Sequence, residues 1–112
     1  MNRAEQAAQK QLDAYNKGDI DAFIDVYHDD VKVYDFPSNE LKLSGVKEMK
    51  KRYGKLFEDN PNQHAALLSR MTHGNIAIDH EHVTGRANGE DVYAIAMYEV
   101  IDDKITKVWF VK

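Results

Sequence analysis

The sequence predicts an α+β domain, with three N-terminal helices packed against a cone-shaped, curved, mixed or antiparallel sheet that wraps around them. Three observations carry that expectation. Apolar residues recur at helical spacing up to about residue 57. Apolar and polar residues alternate in strand-like runs from about residue 64 to 111. A short alternating run at 31–35 separates the second helix from the third.

The first helix is expected over about residues 2–17, where Ala4, Ala8, Leu12 and Tyr15 form an apolar stripe. Gly18 suits the left-handed residue that ends a helix. Asp19 can cap the next helix by accepting from its free N–H groups. There Ile20, Phe23, Ile24 and Tyr27 follow the i, i+3, i+4, i+7 pattern, and His28-Asp29-Asp30 is expected to end the helix. Val31, Val33 and Asp35 then alternate with Lys32, Tyr34 and Phe36, which reads as a strand. Pro37-Ser38-Asn39 is a turn, and Leu41-Lys42-Leu43 a short strand pairing back. Ser44 is the expected cap of the third helix, on which Val46, Met49, Tyr53, Leu56 and Phe57 share a face. Asp59-Asn60-Pro61-Asn62 stops it.

The remainder reads as four strands: 64–73, 75–84, 91–101 and 104–111. Turns at Gly74-Asn75, Arg86-Ala87-Asn88-Gly89 and Asp102-Asp103 join them. No repeat, linker or low-complexity segment interrupts the chain, so one domain over residues 1–112 is expected.

Composition narrows the function classes. The chain has 112 residues, 43% of them apolar, which suffices for a core. It has no cysteine, which removes disulfides and thiolate metal sites. Its 15 basic and 19 acidic residues give a net charge of −4. The only basic run, Lys50-Lys51-Arg52, falls inside the third helix and reads as a solvated face, so no nucleic-acid partner is expected. No segment is apolar enough to span a membrane and the N-terminus shows no signal-peptide core, so no membrane partner and a cytoplasmic location are expected.

The runs Tyr15-Asn16-Lys17-Gly18-Asp19-Ile20-Asp21-Ala22-Phe23 and Tyr27-His28-Asp29-Asp30-Val31-Lys32-Val33-Tyr34-Asp35-Phe36-Pro37 resemble the nuclear transport factor 2-like (NTF2-like) superfamily. Within it they resemble the SnoaL-like and steroid Δ-isomerase-like branch. Gly45 opening a helix and the closing hairpin from Tyr98-Glu99-Val100 to Lys104-Ile105 extend the match over nearly the whole chain. The resemblance implies a cystatin-like α+β roll with a pocket at the mouth of the cone. It is specific for fold and not for reaction, since the superfamily spans isomerases, cyclases, dehydratases, epoxide hydrolases and binding domains.

Ketosteroid isomerases of this fold, a worked case of pKa tuning, use an aspartate base with a tyrosine and a protonated aspartic acid as oxyanion hole. The resemblance puts Asp35 at the base position. It puts Gln11 where the tyrosine stands and Ala96 near the second acid, so one of three groups is present. Tyr53 is the expected oxyanion donor, from the position a third-helix tyrosine takes in isomerases of this fold. Tyr15 and Tyr98 also lie on inward faces, each able to donate a hydrogen bond while its ring lines a pocket. Val33, Met49, Phe57 and Phe110 are expected as apolar lining.

The run Ile78-Asp79-His80-Glu81-His82-Val83 places Asp79 and Glu81 on one face and His80 and His82 on the other. The isomerase pattern favours the Glu81 face inside; Ile76 and Ile78 favour the histidine face. Glu81 or His80 is accordingly the second proton-transfer candidate. His80 and His82, with His64 or His73, have the spacing of metal ligands, but no longer motif supports this and no metal is expected. Arg70 is expected to pair with Asp79 or Glu81. Asp35, Arg70 and Asp79 also supply the residue types of the Asp–Arg–Asp set in epoxide hydrolases of this fold. Trp109, on the outer sheet face, is expected to mark a homodimer contact.

These readings lead to a cofactor-free isomerase or cyclase acting on a small, largely apolar molecule, with Asp35 as general base. The alternative is a non-catalytic ligand-binding or dimerisation domain, which Gln11 and Ala96 favour.

Overall fold

The computed structural model describes residues 2–111; Met1 and Lys112 of the expected domain lie outside the described residues. Helix α1 runs Arg3–Lys17 and α2 Ile20–Asp25, followed by strands β1 Tyr27–Asp35 and β2 Leu41–Ser44. Helix α3 runs Val46–Asp59, and strands β3 His64–His73, β4 Ile76–Thr84, β5 Val92–Ile101 and β6 Lys104–Val111 complete the chain. The fold is the α+β class expected, with three helices against one six-stranded sheet of order β2-β1-β6-β5-β4-β3. All neighbours are antiparallel except β1 and β6, which run parallel.

Local chemistry explains the helix boundaries. The Asn2 side chain accepts from the Ala4 and Glu5 N–H groups and starts α1; Gly18, at φ 64°, ends it. Asp19 caps α2 by accepting from Ala22 N–H. Helix α1 buries Ala4, Ala7, Ala8 and Ala14, whose small side chains bring the helix close to the sheet.

Two boundaries differ from the sequence expectation. Helix α2 stops at Asp25, and Tyr27 with His28-Asp29-Asp30 belongs to β1. Pairing with β6 overrides the helical period here: Ile105 N–H donates to Val26 C=O, and Tyr27 lies opposite Ile105. Tyr27 is still buried, as the apolar pattern required, but from a strand. The cap of α3 is Gly45, at φ 90°, and not Ser44. Ser44 ends β2, where its Oγ accepts a 2.7 Å hydrogen bond from Lys32 Nζ.

The core lies between helices and sheet. Phe23 stands at its centre, within 4.8–6.2 Å, ring centre to ring centre, of Tyr15, Tyr27, Tyr53 and Phe57. Along each strand alternate residues enter this layer. Ala77, Asp79 and Val83 of β4 are buried, and His80 is exposed. The concave face therefore takes Asp79 and Glu81, and the convex face takes His80 and His82.

Candidate functional site

Between α1, α3, β4 and β5 the sheet curls away from the helices and leaves a cavity of about 270 Å³. Aromatic rings from Tyr15, Phe23, Tyr27, Tyr53, Tyr98 and Phe110 form much of its wall. The polar groups that reach it are few: Glu81, Arg86, Gln11 and the four phenols. An apolar cavity with a few convergent polar groups is the usual form of a small-molecule site. A second groove, of about 360 Å³, lies by α2 and the start of β1, but it is wide open and lined by Asp21, Asp25 and Asp29.

Glu81 is the titrating group of the cavity. Burial, then the nearby charge of Asp79, raises its pKa from 4.5 to about 7, with Arg70 acting in the opposite direction. Its carboxyl makes no hydrogen bond or ion pair among the described residues. Asp79, two residues earlier on the same face, is differently situated. Arg70 Nε and Nη2 donate to its two oxygens at 2.6 and 2.9 Å, and Nη1 donates to Gln9 Oε1 at 2.9 Å. The pair is deeply buried, with side-chain exposures of 10% and 1%. Arg70 thus pairs with Asp79, one of its two expected partners.

The phenols divide into two groups. Tyr98 donates to Gln11 Oε1 at 2.9 Å, and Tyr15 donates to Gln63 Oε1 at 2.8 Å, so both hydroxyl protons are engaged within the protein. No hydrogen bond to the Tyr53 or Tyr27 hydroxyl is formed among the described residues. Burial raises the pKa of all four, so each is a neutral donor at physiological pH. Tyr53 is therefore the better placed of the expected tyrosines to donate to a ligand.

Asp35 is placed elsewhere. It lines a side pocket of about 160 Å³ with Lys42, Arg52, Val33 and Leu43, and Lys42 Nζ lies 3.4 Å from its carboxylate. Tyr53 and Phe110 line both this pocket and the larger cavity, as a shared wall. Across the sheet Asp35 lies opposite Phe110, Phe110 opposite Ala96, Ala96 opposite Asp79, and Asp79 opposite Arg70. Asp35 and Asp79 are thus three strand spacings apart, about 14 Å measured along the sheet. The structure does not bring Asp35, Arg70 and Asp79 together as an epoxide-hydrolase set.

The other expected residues also have definite places. Val33, Met49 and Phe57 are buried in the core, with Val33 also against the side pocket. His80 is exposed on the convex face. His82 stacks on Tyr93 at 4.1 Å and meets Asp91 at 3.2 Å. No cluster of three His, Cys, Asp or Glu residues suited to a metal forms among the described residues.

Sequence reasoning missed Arg86, taking it only as part of a turn. Gly85 places it. A Cβ at Gly85 would lie 2.2 Å from Asn62 C=O, and φ is +75°, so only glycine lets the chain pass this close to the 60–63 turn. Ala87 N–H then donates to Asn60 Oδ1 at 3.0 Å and ties the loop down. Arg86 Nη2 lies 3.5 Å from the Tyr15 hydroxyl, and its Nε is buried with no hydrogen-bond partner among the described residues. The available signal was Gly85-Arg86 directly after a strand whose inner face carries Glu81.

Three helices against a curved six-stranded sheet of this order is the NTF2-like, cystatin-like α+β fold. The SnoaL-like domain family matches residues 8–108, and the chain belongs to that family. Solved structures agree in fold. A cystatin-fold protein from Novosphingobium aromaticivorans, described as uncharacterised, is similar at a TM-score of 0.88 and 24% identity, covering 100% of this chain and 99% of that one. A candidate polyketide cyclase from Sinorhizobium meliloti gives 0.79 at 20% identity, covering 95% and 94%. A candidate ketosteroid isomerase from Kribbella flavida gives 0.79 at 16%, covering 96% and 76%. No curated protein matches the chain significantly.

Proposed function

We propose that this SnoaL-like protein binds a small, largely apolar carbonyl compound in the Glu81 cavity and moves a proton on it without a cofactor, as an isomerase or cyclase. The observation that carries this reading is Glu81 itself: a carboxyl in an aromatic cavity, without a hydrogen bond or ion pair among the described residues, with its pKa raised to about 7. A base of that pKa is half ionised near neutral pH and can accept a proton from the carbon beside a carbonyl. Tyr53, with its hydroxyl unengaged among the described residues, would donate to the enolate oxygen that forms. The proton on Glu81 could then return to a different carbon, which is isomerisation, or the enolate could attack a second carbonyl, which is cyclisation.

Glu81→Gln tests the proposal against Asp35→Asn. With Glu81 as the base, Glu81→Gln lowers turnover of any substrate found by about two orders of magnitude or more, and Asp35→Asn changes it little. The reverse result would move the chemistry to the Asp35 side pocket. A second reading, binding without catalysis, is favoured by the engagement of Tyr15 with Gln63 and of Tyr98 with Gln11. Tight ligand binding with no turnover in wild type would select it.

We also propose a homodimer through the convex sheet face. Register places Met71, Ile78, Met97, Trp109 and Tyr34 side by side across five strands, one apolar row that the helices leave uncovered.

A further inference from the structure

We propose that Arg86 anchors an acidic oxygen of the ligand, a carboxylate in the simplest case, so that the cavity selects small apolar acids over their neutral counterparts. This deepens the functional reading above and rests on it in one respect, that the ligand occupies the Glu81 cavity.

The other arginines all meet carboxylates. Arg3 lies near Asp103, Arg52 pairs with Glu48, and Arg70 pairs with Asp79. Arg86 has no carboxylate partner among the described residues, although Glu81 lines the same cavity. Among the described residues its guanidinium makes one hydrogen bond, to the Tyr15 hydroxyl, whose own proton goes to Gln63. Its Nε is buried and has no hydrogen-bond partner among the described residues. Guanidinium stays charged at all relevant pH and presents its N–H groups as a fork that matches the two oxygens of a carboxylate.

The loop geometry adds to this. The close passage of Gly85 over Asn62 and the bond from Ala87 to Asn60 hold the backbone on both sides of Arg86. The cation is therefore carried on a fixed segment at the cavity, not on a free loop tip. An acid docked there would lay its apolar body against the aromatic wall. Glu81, protonated below about pH 7, does not repel a bound anion in that range.

The experiment is calorimetric titration of the full chain near pH 6 with cinnamate and with cinnamamide, its uncharged isostere. Wild type is expected to bind cinnamate about tenfold more tightly or better, the scale of a charge-assisted hydrogen-bond pair. Arg86→Gln should bring the two affinities to within about twofold while cinnamamide affinity holds, which also shows that the cavity is intact. Glu81→Gln should keep the preference. Equal affinities in wild type, or a preference that survives Arg86→Gln, would overturn the proposal and leave the cavity reading standing. Binding of neither probe would overturn both. Loss of turnover in Glu81→Gln is read separately and bears only on the proton-transfer role.

Discussion

Glu81 and Asp79 are two acids of one strand face, two residues apart, in opposite electrostatic situations. Asp79 is matched by a bidentate arginine, and Glu81 is left in an aromatic cavity without a partner among the described residues. The raised pKa of Glu81 has a consequence for stability. Between pH 4.5 and about 7 the folded chain holds a proton that the unfolded chain has released. Stability therefore falls as pH rises through that window and levels off above it, by an amount on the order of 3 kcal/mol. Glu81→Gln should flatten this dependence and be the more stable protein above pH 7, as measured by denaturant unfolding from pH 4 to 9. A variant as pH-dependent as wild type would place the titration elsewhere. Asp79 allows the opposite experiment. Removing one member of a buried pair strands the other charge, so Arg70→Met should cost about 3–5 kcal/mol in the same assay. A cost under about 1 kcal/mol would mean that the pair is hydrated.

At the scale of elements, the site depends on how segments end. Strand β1 begins at Tyr27 because β6 supplies a parallel partner, and this turns the Tyr27 ring into the cavity wall. The loop after β4 is held by Gly85 against the 60–63 turn and carries Arg86 to the cavity. Gly85→Ala forces a side chain into a backbone oxygen and a positive φ. It should destabilise the fold by about 2 kcal/mol or more, and in the variants that still fold it should remove the cinnamate preference. A neutral result would show that the loop does not position Arg86. The alternation within β4 was legible in the sequence, and with it the division of its side chains between two faces. Which face turns inward was not, because that depends on which side the helices cover, and Ile76 and Ile78 argued for the other side.

At the scale of the whole molecule, the helices cover one face of the sheet and leave the Met71–Ile78–Met97–Trp109–Tyr34 row on the other. A dimer formed there would be lost in Met97→Asp or Trp109→Lys, which should sediment as monomers with the fold retained. Dimers that persist in both variants would locate the contact elsewhere. Because the cavity lies on the concave side, these variants should bind cavity ligands as wild type does. Among the described residues, no helix is long and apolar enough to cross a membrane.

The sequence by itself determined the α+β class, the order of nine elements and all four C-terminal strands to within a residue or so. Those features rest on local periods, caps and turns, which a chain carries in its own residues. Family membership was legible for the same reason, since the matching runs are contiguous. Only the tertiary structure decided which acids face the cavity and what each acid meets. Asp35 sits against Lys42 in a side pocket, Glu81 lines the main one, and Arg86 arrives from a loop that local pattern reads as a plain turn. Those placements follow from strand register and sheet curl, which bring together residues far apart in sequence. A site built from single residues on separate elements leaves no periodic trace in the chain.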